Sequence, residues 1–213
     1  KENTKIFLTM RDPIVSLCST INNWLKYKDG IYLTPRTLER NFDTHFNIFN
    51  NLHFLRKKIK VIKLEKLHQS SRDTLKKICK HLNIKFSQSL LKSTYHGKKW
   101  WGDCISQKYL NGLNPKFKNK FDEDLFSIKE LKFLEKKILP VLKKYKYPIR
   151  SEINSETNIL YFYPFGFEKK IWAKTLKKNK LKTSLSIPYF YIRRILLLGK
   201  KNIFLQNNLP NEI

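Results

Sequence analysis

The sequence predicts an α/β fold, in which helices flank a parallel sheet, followed by a basic carboxyl-terminal extension. Two β-rich runs, residues 5–10 and 60–67, each precede a helical pattern, and this alternation is typical of parallel sheets with covered faces. The 213 residues are 41% apolar, which is ample for one core. The composition becomes basic and aromatic after residue 149, so we predict one domain over 1–149 and an extension over 150–213.

The first element is a strand that delivers an arginine to the start of a helix. Arg11 follows the apolar run 5–10, and Asp12 and Pro13 are a good N-cap and a good first residue for a helix over 13–26. The free N–H groups and positive dipole end of a helix favour a phosphate, which an arginine binds bidentately. Ser19, eight residues after Arg11, is a second candidate ligand. The stretch predicts an anion site, although capping alone also explains Arg-Asp-Pro.

Three further helices follow from apolar spacing and capping residues. A stripe at steps of three and four predicts a helix over 36–58, and Ser70 to Asp73 cap another that ends at Asn83. Ser127 and Glu130 form a capping box for a helix that reaches about residue 146. Its predicted buried face is Ile128, Leu131, Leu134, Ile138, Leu142 and Tyr145.

Residues 93–103 predict a cationic and aromatic loop. Gly97 and Gly102 bracket two lysines and two tryptophans, of which Lys98, Lys99 and Trp100 are the candidate ligand contacts. Lysines in a mobile loop can meet a phosphate, while an indole stacks on a base. A surface loop pinned by buried tryptophans is the alternative.

These segments resemble, in the right order, sulfotransferases that use 3′-phosphoadenosine 5′-phosphosulfate (PAPS). Arg-Asp-Pro with a serine eight residues later is similar to the family's second nucleotide-binding motif. Residues 94–103 resemble its T-x-x-G-x-x-W-x-G-N/D loop, and the run ending in Glu65 resembles its "yEdL" strand, where Glu65 is expected to order the turn. The resemblance covers about residues 4–149 and implies a sheet like that of the P-loop NTPases.

The resemblance implies a function and assigns roles to particular residues. Arg11 and Ser19 would bind the 3′-phosphate of PAPS, and Gly97, Lys98, Lys99 and Trp100 would close over the nucleotide. A sulfuryl group would pass from PAPS to a hydroxyl or amine of a glycan or another small or polymeric acceptor, without a metal.

The phosphosulfate-binding loop of that family is missing from the sequence. None of the six glycines lies in a Gly-x-x-x-x-Gly-Lys-Ser/Thr pattern, and the family's usual general base lies upstream of Arg-Asp-Pro. The sequence is therefore expected to be an amino-terminally truncated sulfotransferase, inactive alone, whose catalytic residues are unknown.

The net charge of +27 indicates a polyanionic partner. Residues 169–201 interleave basic and aromatic residues and suit an anionic membrane surface or a polyanion. The alternative function is thus a basic protein, without enzymatic activity, that binds nucleic acid or an anionic membrane. The sequence contains no recognisable nucleic-acid-binding motif. Part of the positive charge is also explained by composition, because AT-rich coding sequence produces many lysines.

The cysteines and histidines predict no metal site. Cys18, Cys79 and Cys104 have no paired or metal-like spacing, so they are expected to be reduced thiols in the cytoplasm. The five histidines form no ligand pattern with them. The sequence contains no run of 18 apolar residues, so no membrane-spanning helix is predicted.

Overall fold

The structure is a computed structural model that describes residues 4–26, 58–92, 94–96, 98–99, 113–117, 119–152, 163–178, 180–199 and 209–213. These residues form an α/β fold with a three-stranded, all-parallel sheet and six α-helices. The predicted fold class is confirmed at this level. The predicted helix over 36–58 lies outside the described residues, apart from Lys58.

In chain order, the elements are β1 (Ile6–Met10), α1 (Pro13–Lys26), β2 (Ile59–Lys63), α2 (Leu64–Gln69), α3 (Ser71–Leu82), β3 (Thr94–Tyr95), β4 (Lys98–Lys99), α4 (Ile128–Lys144), α5 (Gly166–Lys178), α6 (Lys180–Gly199) and β5 (Asn211–Glu212). Two 3-10 turns, Gln88–Leu91 and Glu123–Leu125, lie between them. None of the helices in the described ranges is long and apolar enough to cross a lipid bilayer.

Contacts divide the chain into two compact units. One comprises residues 1–11, 57–119 and 210–213, and the other comprises 12–56 and 120–209. Neither unit begins or ends at 149/150, and the domain boundary expected there stays a prediction.

The first unit contains the three-stranded sheet, with β2 between β1 and β5. Ile6 lies opposite Ile59 and Met10 opposite Lys63, so β1 and β2 end at the same level. In β2, Ile59, Val61 and Ile62 are buried, as expected for a central parallel strand. The last residue of the chain extends the pairing of β5, since the N–H of Ile213 donates to the carbonyl of Val61 over 3.0 Å.

Two local predictions in this unit are corrected by the structure. The β-rich run over 60–67 is strand only as far as Lys63, because the next six residues, including the strong helix formers Leu64 and Glu65, form α2. Ser70 makes no side-chain cap for α3, because its backbone, at φ −125° and ψ 49°, is not in the extended conformation typical of an N-cap. It is the single residue between α2 and α3, and its N–H donates to the carbonyl of Lys66. The predicted end of α3 is confirmed, with Asn83 in the left-handed conformation at φ 59°.

In the second unit, α1 packs against α4. The capping box that opens α4 is confirmed, because the side chain of Ser127 accepts from the N–H of Glu130 and the Glu130 carboxylate accepts from the N–H of Ser127. Ile128 was predicted to be buried and is instead 73% exposed, because the buried face of α4 begins at the next turn. That face consists of Leu131, Phe133, Leu134, Ile138, Val141 and Leu142.

Cys18 and Cys79 are buried free thiols, as their spacing predicts. Burial raises the pKa of the Cys18 thiol to about 11. A thiol with so high a pKa is protonated at neutral pH and unreactive. Cys104 lies outside the described residues.

Candidate anion-binding site at the sheet edge

The carboxyl ends of β1 and β2 bring an arginine and a glutamate to the same edge of the sheet. Met10 and Lys63 are register partners at the last positions of the two strands. Arg11 directly follows β1, and Glu65 lies two residues after β2, in the first turn of α2. Ligands of open α/β sheets bind at this edge, beyond the carboxyl ends of the strands.

An asparagine links these two side chains. The Nε of Arg11 donates to Oδ1 of Asn119 over 3.1 Å, and Nδ2 of Asn119 donates to Oε1 of Glu65 over 2.6 Å. The guanidinium also lies over the ring of Phe117, 5.4 Å from its centroid. In the part of the chain that the structure describes, the Nη atoms of Arg11 donate to no acceptor. The arginine is thus held through one edge, while its outer fork is available to a ligand.

His68 also contacts the same phenylalanine. Its ring stacks on Phe117 at 4.7 Å between centroids and 20° between planes. Nδ1 of His68 accepts from the N–H of Asn114 over 3.0 Å, so the neutral ring carries its proton on Nε2. The pKa of His68 is lowered overall: burial and the positive charge of Arg11 lower it, and these effects outweigh the negative charge of Glu65, which raises it. The imidazole is therefore neutral at pH 7 and can donate one hydrogen bond.

Sequence analysis did not identify Asn119, Phe117 or His68 as site residues. For His68 a signal existed, because it lies three residues after Glu65 and such a pair shares one face of a helix. For Phe117 and Asn119 there was none. Asn119 is 108 positions from Arg11 in the sequence, and only the tertiary structure brings the two side chains together.

The amino terminus of α1 does not provide the predicted N–H groups for a phosphate. Oδ1 of Asp12 accepts from the N–H groups of Ile14 and Val15, over 3.0 and 3.2 Å. The N–H of Ser16 donates to the carbonyl of Asp12, and Pro13 has no N–H. Asp12 and Pro13 thus serve as the predicted N-cap and first residue of α1. Because Asp12 already accepts from the N–H groups of Ile14 and Val15, the prediction that the N–H groups at this end of the helix bind a phosphate is wrong.

Asp12 also belongs to a buried ion network in the second unit. Oδ2 of Asp12 lies 2.5 Å from Nη2 of Arg150, and Oε1 of Glu135 lies 4.0 Å from Nη1 of the same arginine. Both carboxylates are fully buried. Glu135 further accepts from the backbone N–H groups of Arg150 and Ser151. Both oxygens of the Asp12 carboxylate thus have partners within the second unit.

The other predicted ligand contacts are placed only in part. Ser19 is half-buried in α1 and belongs to the second unit, whereas Arg11 belongs to the first, so their pairing stays a prediction. Lys98 is exposed on β4, which pairs with β3 in a short antiparallel hairpin. Residues 94–95 and 98–99 are thus strand, where a loop was expected. Gly97, Trp100 and the side chain of Lys99 lie outside the described residues.

Similarity to known proteins does not add to this geometry. No protein-family model, curated protein or solved structure matches the chain. Across the described ranges, no group of three His, Cys, Asp or Glu side chains could hold a metal ion.

Proposed function

We propose that this chain binds the 3′-phosphoadenosine part of PAPS and that it belongs to a sulfotransferase, with the corresponding P-loop-NTPase-like fold. The observation that carries the proposal is the Arg11 guanidinium at the carboxyl edge of the sheet. It is half-buried and held at Nε by Asn119, and its two Nη atoms can donate together to one phosphate.

The contacts around Arg11 favour a ligand with concentrated negative charge. Glu65 does not bind the guanidinium directly, because Asn119 lies between the two side chains. The arginine is therefore oriented by an amide, and its positive charge has no carboxylate partner among those contacts. A phosphate can supply that partner, and a charge-assisted bidentate contact is stronger than a neutral one.

The finer assignments are proposed from the resemblance. Ser19 joins Arg11 at the 3′-phosphate, and Gly97, Lys98, Lys99 and Trp100 close over the nucleotide. Lys98 belongs to the same unit as Arg11 and is exposed, so its ammonium group is available to a phosphate.

The proposed reaction is in-line sulfuryl transfer. An acceptor oxygen or nitrogen attacks the sulfur of PAPS, the bond from sulfur to the phosphate oxygen breaks, and 3′-phosphoadenosine 5′-phosphate leaves. A base takes the proton of the acceptor, and cationic side chains offset the charge on the leaving phosphate. In this chain the proposal assigns the nucleotide contacts and no catalytic residue.

Selectivity for the 3′-phosphate tests the proposal directly. We expect 3′-phosphoadenosine 5′-phosphate to bind about tenfold or more tightly than adenosine 5′-phosphate, because a hydrogen bond to a charged group contributes about 1.5–3 kcal/mol. Isothermal titration calorimetry with residues 1–213 measures both affinities. Equal affinities, or binding of neither nucleotide, would refute the proposed 3′-phosphate site.

Residues 1–213 by themselves are expected to transfer no sulfuryl group. The phosphosulfate-binding spacing does not occur in them, and oriented donors and a base typically supply several orders of magnitude in rate. The measurement is transfer from labelled PAPS to pooled glycan, lipid and peptide acceptors. Acceptor-dependent turnover would contradict the expectation and would place catalytic groups within this chain.

A further inference from the structure

One side of α6 exposes a continuous stripe of large apolar side chains. Its members are between 59% and 82% exposed: Leu181, Leu185, Tyr189, Ile192 and Leu196. They follow one another at steps of four, four, three and four residues, which places them on the same side of the helix. Isolated exposed apolar residues are common on proteins, but a row along a 20-residue helix indicates an interaction surface.

The surroundings of this apolar stripe are strongly basic. The sequence has no acidic residue between Glu168 and Glu212 but eleven lysines and arginines. On α6 itself, Lys180 and Arg193 are exposed. The neighbouring helix α5, which packs against α6, exposes Lys169, Lys170, Lys174 and Lys177.

We propose that α6 binds the surface of an anionic lipid bilayer, with the apolar stripe at the level of the acyl chains and the basic residues among the headgroups. An amphipathic helix with a basic polar side lies in the plane of the interface in this way. Lysines and arginines near an anionic leaflet strengthen such binding. The proposal does not depend on nucleotide binding by the other unit.

The composition of the stripe favours a bilayer over a nucleic acid. Four of its five members are leucine or isoleucine, which gain free energy in acyl chains but neither stack on bases nor bind phosphates. A nucleic acid would use the basic residues and leave the aliphatic side chains in water. The two partners therefore differ in whether the stripe contributes to binding.

Co-sedimentation of residues 1–213 with vesicles tests the proposal. We expect binding to phosphatidylcholine vesicles that contain about 30% phosphatidylserine, weaker binding to phosphatidylcholine alone, and a decrease as salt is added. Replacing the apolar side chains by Leu185→Gln together with Ile192→Gln is expected to weaken binding to the anionic vesicles about tenfold or more. Ile128→Gln is the matched control, because Ile128 is a similarly exposed isoleucine on α4, and it should bind like the wild type.

Three results with vesicles would overturn the proposal. They are the absence of binding to anionic vesicles, equal binding by the wild type and the double variant, and a loss in Ile128→Gln as large as in the double variant. Binding to duplex DNA provides a further arm, in which the double variant should match the wild type. Loss of DNA binding along with vesicle binding, in a variant whose circular dichroism matches that of the wild type, would show that the stripe is not specific for lipid and would also contradict the proposal. Circular dichroism of the double variant, in which both positions are exposed, should match that of the wild type.

Discussion

Arg150→Ala is expected to lower the free energy of unfolding by about 3–5 kcal/mol, the range for breaking a buried ion pair by removal of one partner. The substitution would leave Asp12 and Glu135, both fully buried, without the guanidinium that lies 2.5 and 4.0 Å from them. The contact of the guanidinium with the ring of Phe121, at 4.8 Å, would also be lost. Urea unfolding followed by circular dichroism measures the change.

Two variants separate the lost charge from lost packing. Arg150→Met keeps much of the side-chain volume and should be nearly as destabilising as Arg150→Ala, since both remove the positive charge beside the two buried carboxylates. Arg72→Ala is the matched control, because Arg72 also bonds a side chain, Gln88, and lies over a ring, that of Phe86, but on an exposed surface. It should cost about 0–1 kcal/mol. If Arg150→Ala were no more destabilising than Arg72→Ala, the network would contribute little to stability.

Arg11→Ala is expected to weaken binding of 3′-phosphoadenosine 5′-phosphate by about 2–4 kcal/mol, since the bound phosphate would lose its charged partner. Calorimetry with both proteins measures the difference. Affinity for adenosine 5′-phosphate should change much less, because the proposed contact is to the 3′-phosphate. A similar loss for both nucleotides would show that Arg11 does not recognise that group.

Two further variants distinguish ligand binding by Arg11 from its structural contacts. Arg72→Ala removes a similar hydrogen bond and ring contact elsewhere in the same unit, and should bind as the wild type does. Asn119→Ala removes the acceptor at Nε but keeps the charge, so its affinity should lie between those of the wild type and Arg11→Ala. Should Asn119→Ala weaken binding as much as Arg11→Ala, orientation of the segment at 113–119 would be the cause rather than the charge of Arg11.

Local chemistry accounts for the parts of the fold that were predicted. The helix that begins at Pro13, the capping box of Ser127 and Glu130, and the end of α3 at Asn83 each depend on residues within one turn. The expectation failed at residues 64–67, where α2 replaces strand. Leu64 and Leu67 are three residues apart, which suits one face of a helix rather than the alternation of a strand, and Leu64–Gln69 is also rich in helix-forming residues.

For the candidate site, the sequence determined that a strand delivers Arg11 to a capped helix, because apolar runs and caps act over short distances. Only the tertiary structure decided what surrounds that arginine. Asn119 and Phe117 reach it from more than a hundred residues away, and Arg150 reaches Asp12 from 138 positions away. The tertiary structure also decided that the N–H groups at the start of α1 donate to the carboxylate of Asp12 rather than to a ligand. Such choices depend on which groups become buried together, and a buried N–H or charge takes whichever partner the fold places beside it, whatever the intervening length of chain.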